Sequence, residues 1–407
     1  MSPVKHSEKF VLLVGDGMAD YPLAELGGKT PLETARTPHM DRIAACRVGL
    51  ARTIPDGMSP GSDVANLALL GYDPLQYHTG RAPFEAASMG VDLASDQVAF
   101  RMNLVTLDHR SDQEIIMLSH SSGDLSTEEA VPLVDTLKAE LNSPILAIHT
   151  GVAYRHLLVW HNGPEDAGTI PPHDVLDQNM APYLSGKDRD PVVDLIRQSW
   201  KYLDDHPVNQ ERRRSGLKAA NSIWPWGQGR ALQLPSFQYQ YGLKGGGISA
   251  VDLLRGIGVY AGLMPILVEG ATGYLDTNYS GKAEEALKAL DHLDFVFVHV
   301  EAPDEASHSG NVEDKIEAIE AFDAKVVGAI LHGLERFDAY RVLVVSDHLT
   351  PIIKRTHTSD PTPFAWATKE ELVGIKGTAR FTEKSASASG LFFERGHELM
   401  PMFLSGA

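Results

Sequence analysis

Cysteine is almost absent from this chain of 407 residues, which contains only Cys46. One thiol cannot form an internal disulfide or a cysteine-rich zinc module, so a metal site here must use oxygen and nitrogen ligands. Apolar runs long enough to span a membrane are also missing, and the first ten residues lack the apolar stretch of a signal peptide. We therefore expect a cytoplasmic protein with no membrane partner.

Positive charge is scarce as well. The chain has 36 Lys and Arg against 54 Asp and Glu, a formal net charge of −18. Nucleic acids need a basic surface, so this balance argues against a nucleic-acid partner. A small anion remains a possible ligand if metal ions, helix N-termini or a few arginines make its site positive. The remaining composition, 43% hydrophobic and 22% charged, is that of a globular protein.

Three short runs are apolar throughout, as in strands that are covered on both faces of a parallel sheet. They are residues 10–14, 295–300 and 342–345. Helical periodicity is clearest over residues 312–337, with Asn311 as the predicted N-cap, and further helices are predicted over 249–263 and 281–290. Strands and helices that alternate in this way predict an α/β doubly wound core.

The middle of the chain has a mixed pattern and predicts an insertion. Its candidate strands are residues 101–108, 114–118 and 154–160, and a polar stretch follows them. Sheet-like runs resume only after about residue 234. We therefore predict a discontinuous core formed by residues 1–95 and 235–407, interrupted by a smaller α/β domain at 96–234.

Each of the three strongest strands is followed by potential metal ligands. Asp16 follows the first strand, Asp304 and His308 follow the second, and Asp347 and His348 follow the third. Ligands of open α/β sheets bind beyond the carboxyl ends of the strands, so these side chains are predicted to meet on one rim. Taken alone, each has an ordinary alternative as a turn or loop residue. The agreement of three strand ends favours a metal site.

Ser62 is predicted to lie at the N-terminus of a helix, because it follows Pro60-Gly61 and precedes an apolar run. Unpaired N–H groups and the positive end of the helix dipole favour an alkoxide or a phosphate there. A role as a simple helix cap is the alternative. A divalent metal could activate the hydroxyl by lowering its pKa.

Six segments resemble, in order and spacing, the cofactor-independent phosphoglycerate mutases of the archaeal type, which belong to the alkaline phosphatase superfamily. They are VGDGMAD, SPGSDVANLALLGYDP, HTGRAPFEAASMGV, VHVEAPDEASHSGN, VVSDH and RTHTSDPTPF. The resemblance extends nearly from end to end. It implies an alkaline-phosphatase-like fold, in which a mostly parallel sheet is flanked by helices and a smaller domain is inserted.

The resemblance also implies two divalent metal ions. The implied ligands of one ion are Asp304, His308 and His357, and those of the second are Asp16, Ser62, Asp347 and His348. A set of oxygen and nitrogen ligands suits Mn²⁺, which is the expected ion, with Zn²⁺ and Mg²⁺ as alternatives.

The implied reaction interconverts 2-phosphoglycerate and 3-phosphoglycerate through a phosphoserine at Ser62, with the inserted domain closing as a lid that excludes water. Lys244 resembles a family lysine that stabilises the transferred phosphoryl group. Arg81 and Arg155 are candidates for binding the substrate's carboxylate or phosphate. For all three cations, an ordinary surface position is the alternative.

The segment from Asn221 to Arg230 departs from the arginine-containing loop expected of the archaeal mutases, because Trp224 and Trp226 stand where charged residues are expected. It resembles a bacterial subgroup for which a homoserine kinase role has been proposed. The two rings could stack on a nucleobase or cage a small substrate, or they could simply fill a hinge between domains. The alternatives to a mutase are therefore a kinase acting on ATP and homoserine, and a metal-dependent phosphatase. The sequence does not specify the oligomeric state.

Overall fold

The computed structural model describes residues 8–185 and 191–406. Its strands are β1 (Glu8–Gly15), β2 (Val48–Ala51), β3 (Gln97–Ser111), β4 (Glu114–Ser119), β5 (Leu146–Val152), β6 (Arg155–His161), β7 (Ser222–Arg230), β8 (Gly245–Ile248), β9 (Met264–Pro265), β10 (Phe295–Val300), β11 (Ala339–Val345), β12 (Thr362–Thr368) and β13 (Phe392–Phe393).

Its α-helices are α1 (Pro31–Thr34), α2 (Pro38–Ala44), α3 (Ser62–Leu69), α4 (Pro74–Tyr77), α5 (Ala82–Ser88), α6 (Thr127–Leu141), α7 (Ala181–Ser185), α8 (Pro191–Leu203), α9 (Pro207–Arg214), α10 (Phe237–Tyr241), α11 (Asp252–Tyr260), α12 (Tyr279–Ala289), α13 (Ala302–Ser309), α14 (Val312–Ala321), α15 (Gly328–Leu334), α16 (Lys369–Val373), α17 (Glu383–Ala388) and α18 (Leu399–Ser405). None of the described helices is both long and apolar enough to cross a membrane.

The chain divides into two compact units. The first, called the core unit below, consists of Met1–His78 and Gln233–Ala407, and the second unit is Thr79–Leu232. Residues 79–95, which the sequence analysis assigned to the core, therefore belong to the second unit. The reason is apolar packing: Ala82 and Ala86 on α5 form a buried cluster with Ala99 on β3 and with Leu157 and Val159 on β6.

The core unit contains a sheet whose described strands run in the order β13-β2-β12-β11-β1-β10-β8-β9. Strand β1 lies at its centre and pairs in parallel with β10 on one side and with β11 on the other. Among the described strands of this sheet, only β12 runs antiparallel to both of its neighbours. The predicted α/β fold, with a mostly parallel sheet flanked by helices, is confirmed, and so are the three apolar strands.

The predicted helix over residues 312–337 is confirmed with one interruption. Asn311 caps α14 by accepting a hydrogen bond from the Asp314 N–H. The six residues Phe322–Val327 form a π-helical turn before α15 continues. This turn carries the buried carboxylate of Asp323, which accepts hydrogen bonds from the N–H groups of His39 and Met40 at the start of α2.

The second unit contains a sheet with the strand order β4-β3-β6-β5. Strand β7 lies off this path and pairs with β3 over residues 98–105. These pairings are antiparallel. Strand β7 corrects the sequence analysis, which treated the segment from Asn221 to Arg230 as a loop. Trp224 and Trp226 stand at alternate positions and so share one face of the strand, and the first five residues of β7 are all buried.

Candidate active site

The three predicted strand ends meet at one edge of the core sheet. Gly15 at the end of β1 is in register with Val300 at the end of β10, and Val14 is in register with Val345 at the end of β11. Because these strands are parallel neighbours, the residues that follow them emerge side by side. The side chains that follow are all buried: Asp16, Asp304, Asp347 and His348.

One group of side chains forms around Asp304 on α13. Its carboxylate lies 3.0 Å from His308 Nε2 and 3.5 Å from His357 Nε2, and these two imidazole nitrogens are 3.0 Å apart. The Nδ1 of His308 donates to the carbonyl of Arg355 at 2.9 Å, which directs Nε2 toward the group. The structure therefore brings together the three residues that the resemblance assigned to one metal.

A second group forms around Asp16. Its Oδ1 lies 3.4 Å from His348 Nε2, and Asp347 Oδ2 lies 3.5 Å from the same nitrogen. The Oδ2 of Asp16 lies 2.8 Å from Nε2 of His299. His299 was missed in the sequence because it occupies a position in β10 that was read as uniformly apolar. A polar residue inside such a run was the available signal.

Glu301 is a further carboxylate that the sequence analysis did not select, and its Oε2 atom is buried. It directly follows β10, and its Oε2 lies 3.7 Å from His299 Nε2. Burial raises the pKa of Glu301 to about 8, with Asp304 adding to the shift. Burial also raises the pKa of Asp16 well above its usual value, and the nearby carboxylates of Asp347 and Glu301 raise it further. The two groups and Glu301, together called the cluster below, thus carry more negative charge than the imidazoles among them neutralise.

The imidazoles differ in charge according to their surroundings. Burial lowers the pKa of His348 to about 4 and the pKa of His299 well below its usual value, so both rings are neutral at pH 7. Burial opposes a charge on His308 too, but its hydrogen bond to Asp304 raises its pKa to about 9. Burial likewise opposes ionisation of Asp304, yet His357 and His308 hold its pKa well below the usual value.

These residues fit divalent cations. Two sets of three side chains each have donor atoms within 4.8 Å of one another. They are Asp304, His348 and His357 in one set, and Asp16, His299 and Asp347 in the other. Within the described chain, neither Asp16 Oδ1 nor Glu301 Oε2 accepts a hydrogen bond although both are buried. Buried carboxylates without donors are stable when they coordinate metals.

Ser62 is the first residue of α3, as predicted, and its Oγ lies 3.1 Å from His348 Nε2. Asn66, one turn later, donates from Nδ2 to the Ser62 carbonyl at 2.9 Å and to Asp347 Oδ2 at 2.8 Å. The amide of Asn66 therefore ties the start of α3 to the end of β11. This arrangement places the serine hydroxyl against the group around Asp16.

Lys244 does not lie with these residues. It precedes β8, and its neighbour Gly245 is in register with Phe295 at the start of β10. Lys244 is therefore at the amino edge of the parallel strands, opposite the cluster, and its side chain is exposed. Gly245, Gly246 and Gly247, which follow it, lie in strand β8. A buried cation beside the cluster is Lys282, which donates to the His299 carbonyl at 2.9 Å.

In the second unit, Arg81 and Arg101 share one carboxylate. The Nε atoms of Arg81 and Arg101 lie 3.5 Å and 3.0 Å from opposite oxygens of Glu85. Burial, with the charges of Arg81 and Arg155, lowers the pKa of Arg101 to about 10, although Glu85 opposes the shift. These three arginines, called the arginine cluster below, include both predicted substrate cations. Arg101 was missed because it lies inside strand β3.

The two tryptophans of β7 do not offer a face to a ligand. The side chains of Trp224 and Trp226 are buried in the core of the second unit. The Nε1 of Trp224 donates to the Ile170 carbonyl, and the Nε1 of Trp226 donates to Asn103 Oδ1. Their predicted role in stacking on a nucleobase is corrected accordingly, since their rings pack inside one unit.

Comparison with known proteins identifies the family. The sequence profile of a family described as 2,3-bisphosphoglycerate-independent phosphoglycerate mutase matches residues 44–209. A probable mutase of this name from Geobacter sulfurreducens is 50% identical over 97% of this chain and 99% of its own length. The mutase of Methanothrix thermoacetophila is 49% identical over 98% of this chain and 100% of its own.

Solved structures have the same fold. A protein from Pyrococcus horikoshii has a TM-score of 0.79 and 32% identity, covering 98% of this chain and 97% of its own. The cofactor-independent phosphoglycerate mutase of Thermoplasma acidophilum has a TM-score of 0.63 and 24% identity, covering 98% and 100%, and supports the fold. The chain therefore belongs to the family of 2,3-bisphosphoglycerate-independent phosphoglycerate mutases, which are isomerases.

Proposed function

We propose that this chain interconverts 2-phosphoglycerate and 3-phosphoglycerate, and that Ser62 carries the phosphoryl group between the two positions. One observation carries the proposal. The Ser62 hydroxyl lies at a helix N-terminus and 3.1 Å from His348, within a buried cluster of carboxylates and imidazoles. Relatives about 50% identical over nearly the whole chain are named for this reaction.

The exchange takes place in two balanced steps. Ser62 Oγ loses its proton and forms a bond to phosphorus, while the bond from phosphorus to the substrate oxygen breaks and that oxygen takes up a proton, which leaves glycerate and a phosphoserine. The glycerate then turns, its other hydroxyl loses its proton and attacks the same phosphorus, and the Oγ–P bond breaks as Oγ regains a proton. The first-turn N–H groups of α3 favour the negative charge on Oγ and on the phosphate.

We propose that the side chains around Asp304 and Asp16 hold two divalent ions, with Mn²⁺ expected first and Zn²⁺ or Mg²⁺ as alternatives. Asp304, His308 and His357 would hold one ion. Asp16, Ser62, Asp347 and His348 would hold the other, with His299 as an additional candidate. Bound divalent ions supply positive charge that lowers the pKa of a hydroxyl and neutralises the transferred phosphate.

We further propose that the arginine cluster binds the carboxylate and phosphate of the substrate. Arg81 and Arg101 share the carboxylate of Glu85, and Arg155 lies near enough to lower the pKa of Arg101, so part of the positive charge there is available to an anion. The second unit would then act as the lid that keeps water from the phosphoserine. Lys244 and the two tryptophans are not included in this proposal.

The test is an enolase-coupled assay of the Mn²⁺-loaded protein with 3-phosphoglycerate. We expect turnover by the native chain and none by Ser62→Ala, with Ser59→Ala as a control because it replaces a serine of the same segment. The kinase alternative has no support in the names of these relatives. ATP-dependent phosphorylation of homoserine without mutase turnover would overturn the proposal, and release of free phosphate as the main product would favour a phosphatase.

A further inference from the structure

The hydroxyl of Thr350 connects the two groups of the candidate active site. Its Oγ1 lies 2.5 Å from Asp304 Oδ1 and 3.1 Å from His348 Nδ1. Thr350 and both partners are buried. None of the sequence motifs pointed to this residue, which lies three positions beyond Asp347.

A single hydroxyl proton decides the direction of both hydrogen bonds. Asp304 lies 3.0 and 3.5 Å from two imidazole nitrogens, which favours its carboxylate form, and a carboxylate can only accept. Thr350 must therefore donate its proton to Asp304. Its oxygen can then only accept from His348, so the His348 ring carries its proton on Nδ1.

A proton on Nδ1 of His348 determines the state of the other ring nitrogen, Nε2. A neutral imidazole with a proton on Nδ1 has a lone pair on Nε2. That nitrogen lies 3.1 Å from Ser62 Oγ, 3.4 Å from Asp16 Oδ1 and 3.5 Å from Asp347 Oδ2. A lone pair beside two carboxylate oxygens repels them, unless a cation or the Ser62 hydroxyl proton lies between.

The backbone of Thr350 is held in place independently of its hydroxyl. The buried ammonium of Lys315 donates to the Thr350 carbonyl at 3.0 Å and to Asp20 Oδ2 at 2.8 Å. The Thr350 N–H donates to the Ala19 carbonyl. Removal of the hydroxyl alone should therefore leave the chain at this position where it is.

We infer that Thr350 is a positioning residue, whose hydroxyl holds His348 in the Nδ1–H tautomer and keeps Nε2 available to a metal ion and to Ser62. Outer hydrogen bonds of this kind orient metal-binding histidines in general. Thr350→Val removes the hydroxyl at nearly constant volume, and Thr350→Ser retains it.

The first test measures the tautomer in the metal-free protein at pH 7, by nitrogen-15 NMR of labelled histidines. His348→Gln identifies the His348 signals by their disappearance. We expect the Nδ1–H pattern in the native chain and in Thr350→Ser, and its loss in Thr350→Val. An Nε2–H pattern in the native chain or in Thr350→Ser would overturn the inference, even if the valine variant failed to fold. So would an unchanged pattern in a folded Thr350→Val.

The second test, calorimetric titration with Mn²⁺, rests on the proposed metal site, whereas the tautomer does not. We expect Thr350→Val to bind Mn²⁺ about 10- to 100-fold more weakly, with Thr350→Ser close to the native chain. Thr106→Val is the matched control, because Thr106 is also buried but donates to the Ala219 carbonyl in the second unit. Equal affinity in the native chain and Thr350→Val would contradict the inference. A native chain that bound no Mn²⁺ would instead contradict the proposed function.

Discussion

At the scale of single residues, Gly17 connects the end of β1 to the cluster. Its N–H donates to Asp347 Oδ1 at 3.1 Å. Its backbone has a φ of +59°, a conformation that residues other than glycine rarely adopt. A Cβ atom at this position would lie 2.5 Å from Asp304 Oδ1 and 2.6 Å from Thr350 Oγ1. Both the conformation and the available space therefore require glycine here.

Gly17→Ala should accordingly disturb the site more than the fold. The variant Gly27→Ala is a matched control, because Gly27 has a φ of +66° and a Cβ atom there would have nothing within 4 Å. We expect the control to lose about 1–2 kcal/mol of stability from backbone strain alone. We expect Gly17→Ala to lose more and to bind Mn²⁺ at least about 10-fold more weakly, as measured by thermal unfolding and calorimetry. Equal effects of the two substitutions would contradict this explanation.

The residues of the site were predictable from sequence to different degrees. Asp16, Asp304 and Asp347 lie within four residues after the ends of apolar strands, so the strand ends alone predicted that they would meet. His299 and Arg101 lie inside strands, where only the pairing of neighbouring strands reveals their surroundings. The partners of the Thr350 hydroxyl, Asp304 on α13 and His348 after β11, are brought to it by tertiary packing, which no local pattern of the sequence contains.

At the scale of elements, the start of α17 is joined to the turn after β1 by a partly buried carboxylate. Glu383 accepts hydrogen bonds from the Asp20 N–H at 3.0 Å and from the Thr30 hydroxyl at 2.8 Å. Burial raises the pKa of Glu383 from 4.5 to about 7, although these hydrogen bonds oppose the shift. The contact between these elements therefore depends on pH.

The sign of that dependence follows from the raised pKa. Between pH 4.5 and about 7 the folded chain holds a proton on Glu383 that the unfolded chain has lost. The stabilisation is complete at the lower pH and disappears as the pH rises through 7. Glu383→Gln does not titrate, so its melting temperature should rise relative to the native chain between pH 5 and pH 7.5. A melting-temperature difference between Glu383→Gln and the native chain that stayed constant from pH 5 to pH 7.5 would contradict the assignment.

The helices and strands were easier to predict than the contacts between them. The strands β1, β10 and β11 and the helix after Asn311 have strong periodicity, which local sequence records directly. Strand β7 was missed because Pro225 and two glycines interrupt its pattern. The division between the units was misplaced because α5 packs against β3, β6 and β7, and this packing leaves no mark in the local sequence.

At the scale of the whole molecule, the net charge of −18 contrasts with the local charge of the arginine cluster. Arg101→Lys retains the charge but loses the planar fork that suits carboxylates and phosphates. We expect kcat/KM for phosphoglycerate to fall about 10- to 100-fold, with unchanged Mn²⁺ affinity. Arg110→Lys is the control, since Arg110 is exposed on the same unit and paired with Asp108 and Glu114. A native value of kcat/KM in Arg101→Lys would exclude a substrate role for the cluster.

The repulsion among the buried carboxylates also affects the stability of the molecule. Mn²⁺ that binds only the folded chain should stabilise it by about 2.7 kcal/mol at 100 times its dissociation constant. Scanning calorimetry of chelator-treated protein, before and after addition of Mn²⁺, measures this difference. Asp16→Asn should remove part of the repulsion and reduce the gain. An unfolding temperature that did not respond to Mn²⁺ would contradict the two-ion proposal.

The central position of β1 has a consequence for biosynthesis. Its neighbours β10 and β11 are made much later, and the contact between Asp16 and His299 joins residues 283 positions apart. At ordinary translation rates the ribosome needs roughly 15–60 s to synthesise that interval. During this time β1 is without the strands that flank it in the finished sheet, and its apolar residues are open to chaperones. The residues proposed to hold the metal ions follow β1, β10 and β11, so that site can form only after the last of these strands has been made.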